Sequence, residues 1–106
     1  MAKMTDSSAA DAFAALGNPT RLAVLRLLVQ AAPDGLSVGD LQKLADVPAS
    51  TLAHHLAALS GVGIIHQEKQ GRSIINRVRF DQIQELSAHL LDNCCKGLSL
   101  ENDAAA

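Results

Sequence analysis

A chain of 106 residues with 48% apolar residues and a net charge of −2 is one domain with a single modest core. It has no Trp, no Tyr and only Phe13 and Phe80, so Leu, Ile, Val and Ala must build that core, which suits packed helices. No apolar run is long enough for a membrane span, no secretory signal is visible in MAKMTDSSAADAF, and the negative charge argues against indiscriminate coating of nucleic acid; a cytoplasmic protein with reduced thiols is expected.

Residues 1–7 read as a flexible N-terminus, 8–96 as the domain and 97–106 as a flexible tail. Residues 6–16, DSSAADAFAAL, form a short helix with Asp6 or Ser7 as cap and Gly17 as its stop. Asn18 then caps a second helix that has Pro19 at its first position. Leu22, Leu25 and Val29 recur there at helical spacing, and Val24 and Leu28 widen the stripe. APDG, 32–35, is a turn. Ser37 and Asp40 make a capping-box pattern ahead of Leu41, Leu44 and Ala45 on one face. DVP ends that helix, and the next runs from about Pro48 to Ser60, which makes a helix-turn-helix candidate.

The period then changes. Ile74, Asn76, Val78 and Phe80 alternate with Ile75, Arg77 and Arg79, as in a half-buried strand, and Gln70-Gly71 supplies a hairpin turn. Lys69, Arg72, Arg77 and Arg79 face only Glu68 within 66–79, so the hairpin is a basic element on an acidic chain. Asp81 caps a last helix lined by Ile83, Leu86 and Leu90 and broadened by Leu91. The expected fold is mainly α with a β-hairpin wing, a winged helix-turn-helix.

At about 100° per residue, Leu52, Leu56 and Leu59 define the buried side of the second helix of the pair. Ser50, His54 and Ala57 lie opposite, with Thr51 and Ala58 on the flank. A helix in the major groove reads bases with the N-terminal part of its exposed face, which selects Ser50, Thr51 and His54 as contacts to double-stranded DNA. Lys69 and Arg72, near the wing tip, are placed to meet phosphates or the minor groove. His55 falls among the leucines and reads as a structural histidine with a hydrogen-bond partner.

The segments ALGNPTRLAVLRLL, LSVGDLQKLADVPASTLAHHLAALSGVGII and KQGRSIINRVRFDQIQEL resemble the ArsR-type, metal- and metalloid-responsive winged-helix repressors. The resemblance spans roughly residues 11–96 and includes NCCKG; each piece is weak alone, and their order and spacing make it specific. It implies a homodimer through the first and last helices, where Phe13, Leu16, Ile83, Leu86 and Leu90 offer apolar surface. Such a dimer sets two recognition helices about 34–36 Å apart and reads an inverted repeat. It also implies release from DNA when an inducer binds, with no cofactor otherwise required. Two departures stand out: Ala53 replaces a serine frequent in the family, and Ser37 and Gly39 replace a familiar Cys-x-Cys site.

The remaining candidate ligands lie at the C-terminal end. Glu85, His89 and Asp92 fall at helical spacing and could seat a divalent ion such as zinc, one alternative for the sensed ligand. Cys94 and Cys95 are adjacent, and Cα atoms about 3.8 Å apart fall below the usual ~4.4 Å minimum for a disulfide. A dithiol is the better reading. If the helix unwinds over Asn93–Gly97, both sulfurs can turn toward one soft ion. The helix C-terminus disfavours thiolate, an effect partly offset by Lys96, so the ligand needs high thiol affinity. Trivalent arsenic (arsenite or methylarsenite) or antimonite fits, with cadmium or mercury behind them. Outside DNA binding, a thiol enzyme using Cys94 or Cys95 with His89, or a soft-metal carrier, stays open; no Cys-x-x-Cys, phosphate-binding loop or catalytic elbow supports an enzyme.

Overall fold

Thr5, rather than Asp6 or Ser7, caps the first helix, α1 (Asp6–Leu16). Its hydroxyl accepts the Ser8 N–H at 3.1 Å, and the Ser8 hydroxyl returns to the Thr5 N–H at 3.0 Å, a closed capping box. Both structure and side-chain contacts are described for residues 4–100 in this computed structural model; the ends expected at 1–7 and 97–106 therefore lie partly outside the described residues. After Gly17, the Asn18 carboxamide oxygen accepts the N–H groups of Thr20 (2.9 Å) and Arg21 (3.1 Å), and Pro19 opens α2 (Pro19–Gln30), as expected.

Val24, Leu25 and Leu28 carry the buried face of α2, while Leu22 and Val29 of the expected stripe are exposed. Apolar residues cover more than one face of this helix, and packing against α1, the next two helices and the sheet chooses among them. The chain turns at 31–34 and makes a two-residue strand that sequence periodicity did not signal, β1 (Leu36–Ser37). Gly35 sits at φ +80°, and a Cβ there would lie 2.5 Å from the Asn76 carbonyl oxygen. Only glycine lets this turn close onto the sheet.

The helix-turn-helix follows. Helix α3 (Val38–Ala45) starts at Ser37, whose hydroxyl accepts the Asp40 N–H at 3.1 Å. Leu41 is buried and Ala45 half-buried, but Leu44 is exposed rather than part of the core. Asp46, at φ 53°, ends α3 in the left-handed region, and α4 (Ala49–Gly61) begins after Pro48. Leu52, Leu56 and Leu59 are buried in the same cluster as Val24, Leu28, Leu41, Ile64 and Ile65. Truncating one such leucine to alanine costs about 2–5 kcal/mol, a large share of a total stability of about 5–15 kcal/mol. The orientation of α4 is thus strongly held.

Strands β2 (Ile65–Gln70) and β3 (Ser73–Val78) form the wing, and β1 adds on the other side of β3, giving the antiparallel order β1-β3-β2. Gln70 pairs with Ser73, so Gly71 and Arg72 form the loop, one step along from the expected Gln70-Gly71. Gly71 has φ +62° at the first loop position, as a type II′ turn requires. In β3 the fully buried Asn76 accepts from Gln67 Nε2 at 2.8 Å and donates to the Leu36 carbonyl at 3.2 Å. One satisfied amide therefore ties together all three strands. Ile74 and Phe80, expected on the same face as Asn76 and Val78, are exposed at the two ends of that row.

Helix α5 (Phe80–Leu90) has Arg79 at its cap position; Asp81 lies in the first turn instead of capping it. Leu86 is buried and Ile83 half-buried, whereas Leu90 and Leu91 are 64% and 66% exposed. No single helix among the described residues is long and apolar enough to cross a membrane.

Candidate nucleic-acid interface and thiol site

The five residues selected as DNA contacts are all exposed. Ser50, Thr51 and His54 lie on the outer face of α4, opposite its three buried leucines, with Ala53 and Ala57 beside them. Pro48 gives α4 no side-chain cap, so the first-turn N–H groups stay available to water or an anion. Of the four cations in the hairpin segment, Arg77 pairs with Glu68 and donates to the Pro33 carbonyl at 3.3 Å, and Arg79 lies 3.6 Å from Asp81. Lys69 and Arg72 have no ion-pair partner among the described residues. The basic stretch is thereby reduced to the two cations nearest the tip. Arg72 and Ser73 also share a surface hollow with Ser37, Val38 and Gly39 at the start of α3, which brings wing tip and helix-turn-helix side by side.

His55 is 8% exposed and has the expected hydrogen-bond partner: Arg21 Nε donates to its Nδ1 at 3.0 Å. Burial first, then the Arg21 charge, then His54 push its pKa below the ordinary histidine value. Sequence reasoning missed Arg21. The signal available was the demand of a histidine among leucines for a donor, but nothing local identifies a partner 34 positions away.

At the other end of the chain the backbone leaves helical geometry at Leu91, earlier than the expected 93–97. Asn93 (φ 63°) and Cys95 (φ 64°) both occupy the left-handed region. The Cys94 and Cys95 sulfurs converge to 3.2 Å, and both residues are exposed. The hydrogen bond between the thiols, then desolvation, raises the Cys94 pKa. Lys96 lies beside the pair, with its Nζ donating to Asn93 Oδ1 at 3.1 Å.

Glu85, His89 and Asp92 line one cavity of about 170 Å³ with Met4 and Ala88, but do not come together as a metal site. His89 Nε2 instead meets Asp6 Oδ1 at 2.7 Å, linking the last turn of α5 to the first turn of α1. Among the described residues no three His, Cys, Asp or Glu side chains form a group able to hold a metal ion.

Residues 16–68 match the family described as a helix-turn-helix domain. An HTH-type transcriptional regulator from Methanocaldococcus jannaschii is 32% identical over 80 residues, which cover 74% of this chain and 85% of that one. The crystal structure of an ArsR family transcriptional regulator is similar with a TM-score of 0.73 and 26% identity, over 87% of this chain and 92% of that one. A homodimeric winged helix-turn-helix DNA-binding domain from Mycobacterium bovis has a TM-score of 0.67 over 90% and 94% of the two chains; at 22% identity it bears on the fold alone.

Proposed function

The chain belongs to the ArsR family of winged helix-turn-helix, DNA-binding transcriptional regulators, not to an enzyme family, and from that premise we propose that it is a cytoplasmic repressor induced by trivalent arsenic or antimony at Cys94 and Cys95. It acts as a homodimer through α1 and α5. The 39% exposed Phe13 and the exposed Leu90 supply apolar surface that a monomer leaves in water. Ser50, Thr51 and His54 read base edges in successive major grooves of an inverted repeat, and Lys69 and Arg72 meet the backbone.

The observation that carries the inducer assignment is the 3.2 Å approach of the two exposed sulfurs. Two exposed sulfurs this close can reach one soft ion together, and trivalent arsenic or antimony is a ligand with the thiol affinity such a pair selects. Holding Cys95 at φ 64° costs on the order of 1–3 kcal/mol, a strain that a binding role explains.

Release follows from linkage. An inducer that binds best to a rearranged 91–96 segment favours dimer geometries in which the recognition helices are wrongly spaced. The path is short, because the Asp6–His89 contact ties the end of α5 to α1. Footprinting on the DNA upstream of the chain's own coding sequence, with and without a panel of thiophilic ions, tests the proposal. Protection that disappears on adding trivalent arsenic or antimony is expected; protection indifferent to every thiol-binding ion overturns the inducer assignment.

A further inference from the structure

Two neighbouring histidines on α4 share one arginine. Arg21 Nε donates to His55 Nδ1 at 3.0 Å, and a terminal nitrogen of the same guanidinium lies 3.5 Å from His54 Nε2. The two rings are tilted by 55° with centroids 5.9 Å apart. The arginine is itself well placed to be a fixed point, since its backbone N–H is held by Asn18 Oδ1 in the cap of α2.

A guanidinium carries five N–H donors and no acceptor. Any imidazole nitrogen that bonds to it must accept, and so carries no hydrogen. For neutral rings this puts the His55 hydrogen on Nε2 and the His54 hydrogen on Nδ1. His55 lies inward among the leucines, whereas His54 is exposed on the face that carries Ser50 and Thr51.

We propose that Arg21 is a specificity-setting positioning residue of the DNA-reading face, holding His54 and His55 in opposite tautomers so that His54 offers its Nδ1–H as a donor to a base. In the major groove that donor matches an acceptor, of which guanine presents two (N7 and O6) and adenine (N7) and thymine (O4) one each, and it is mismatched against cytosine, whose edge presents only an amino donor. Arg21 thereby acts on sequence choice through His54. The inference rests on the reading of His54 as a base contact.

The experiment compares wild type, His54→Ala, Arg21→Met and the double variant on a panel of operators changed one base pair at a time, at fixed salt. Methionine keeps much of the apolar stem and removes every donor. Ring-nitrogen NMR of the wild-type protein reports both tautomers directly, so the test survives poor folding of the arginine variant. The expected result is a hydrogen on Nδ1 of His54 and on Nε2 of His55. Arg21→Met should lose discrimination at the same base pair as His54→Ala, by roughly 5- to 150-fold, with no further loss in the double variant. A His54 hydrogen on Nε2, or intact discrimination in Arg21→Met when His54→Ala has lost it, overturns the role of Arg21 and leaves base reading standing. Intact discrimination in His54→Ala removes the base-reading premise as well.

Discussion

Cys94 and Cys95 bring their sulfurs to 3.2 Å from each other outside regular helix, beyond the end of α5 at Leu90 and its cap residue Leu91. The two left-handed residues, Asn93 and Cys95, alternate with Cys94 and place both thiols on the surface. No core packing depends on them. Changing either cysteine to serine should therefore leave operator binding intact and abolish release by trivalent arsenic in gel-shift titrations. Weak operator binding by the untreated double variant would assign the pair a structural role instead.

The wing offers a test in which two arginines should behave differently. Arg72 is free of ion pairs at the tip among the described residues, whereas Arg77 is engaged by Glu68 and the Pro33 carbonyl. Arg72→Ala should weaken binding to all DNA sequences. It should also lower the slope of log affinity against log salt by about 0.9 for each phosphate that Arg72 neutralises. Arg77→Ala should leave that slope near the wild-type value. Equal slopes in wild type and Arg72→Ala would remove the tip from the DNA interface.

Acidification should destabilise the fold through His55. Its folded-state pKa lies below the ordinary 6.5, from burial first and the neighbouring Arg21 and His54 charges next. As pH falls through about 6.5, the unfolded chain takes up this proton before the folded one does. The stability associated with neutral His55 is thus fully present above that value and is lost as pH falls through the folded-state pKa. Protonation also converts Nδ1 into a donor facing the Arg21 Nε–H. Denaturant unfolding of wild type and His55→Gln at several pH values checks this. The wild type should lose more stability on acidification than the variant, and matching slopes would clear His55.

Much of the scaffold was legible in the sequence because caps and periodicity are local. Asn18 with Pro19, Ser37, and the three leucines of α4 each behave as their own segment dictates. The first cap was less determined: Thr5, Asp6, Ser7 and Ser8 can all serve, and the reciprocal bonds of Thr5 with Ser8 decide. Strand β1 is too short to show a period and exists because Asn76 and β3 receive it. Leu44, Leu90 and Leu91 match apolar positions but stay exposed, since burial needs a partner that periodicity does not supply. The exposure of Ser50, Thr51 and His54, the proposed DNA contacts on α4, was readable as the face left after the core was assigned. Arg21 was not, because its role is set wholly by rings on another helix. The closeness of the two thiols was foreseeable only in part; asparagine tolerates the left-handed region, but a cysteine there carries no such signal.

The choice of arsenical follows from counting bonds at the thiol pair. Inorganic trivalent arsenic has three valences, and a well-matched thiolate site would fill all of them with sulfur. The chain has only two cysteines. Among the described residues no His, Asp or Glu joins them to make a three-ligand group. A monomethylated trivalent arsenical already has one valence occupied by carbon, and the adjacent sulfurs can complete the other two within one subunit. Methylarsenite should therefore release operator DNA at a lower concentration than arsenite does. The comparison needs a buffer free of small-molecule thiols, because an added thiol could provide the third sulfur to arsenite. In that buffer, equal potency of the two arsenicals would show that a two-sulfur site is not what limits arsenite.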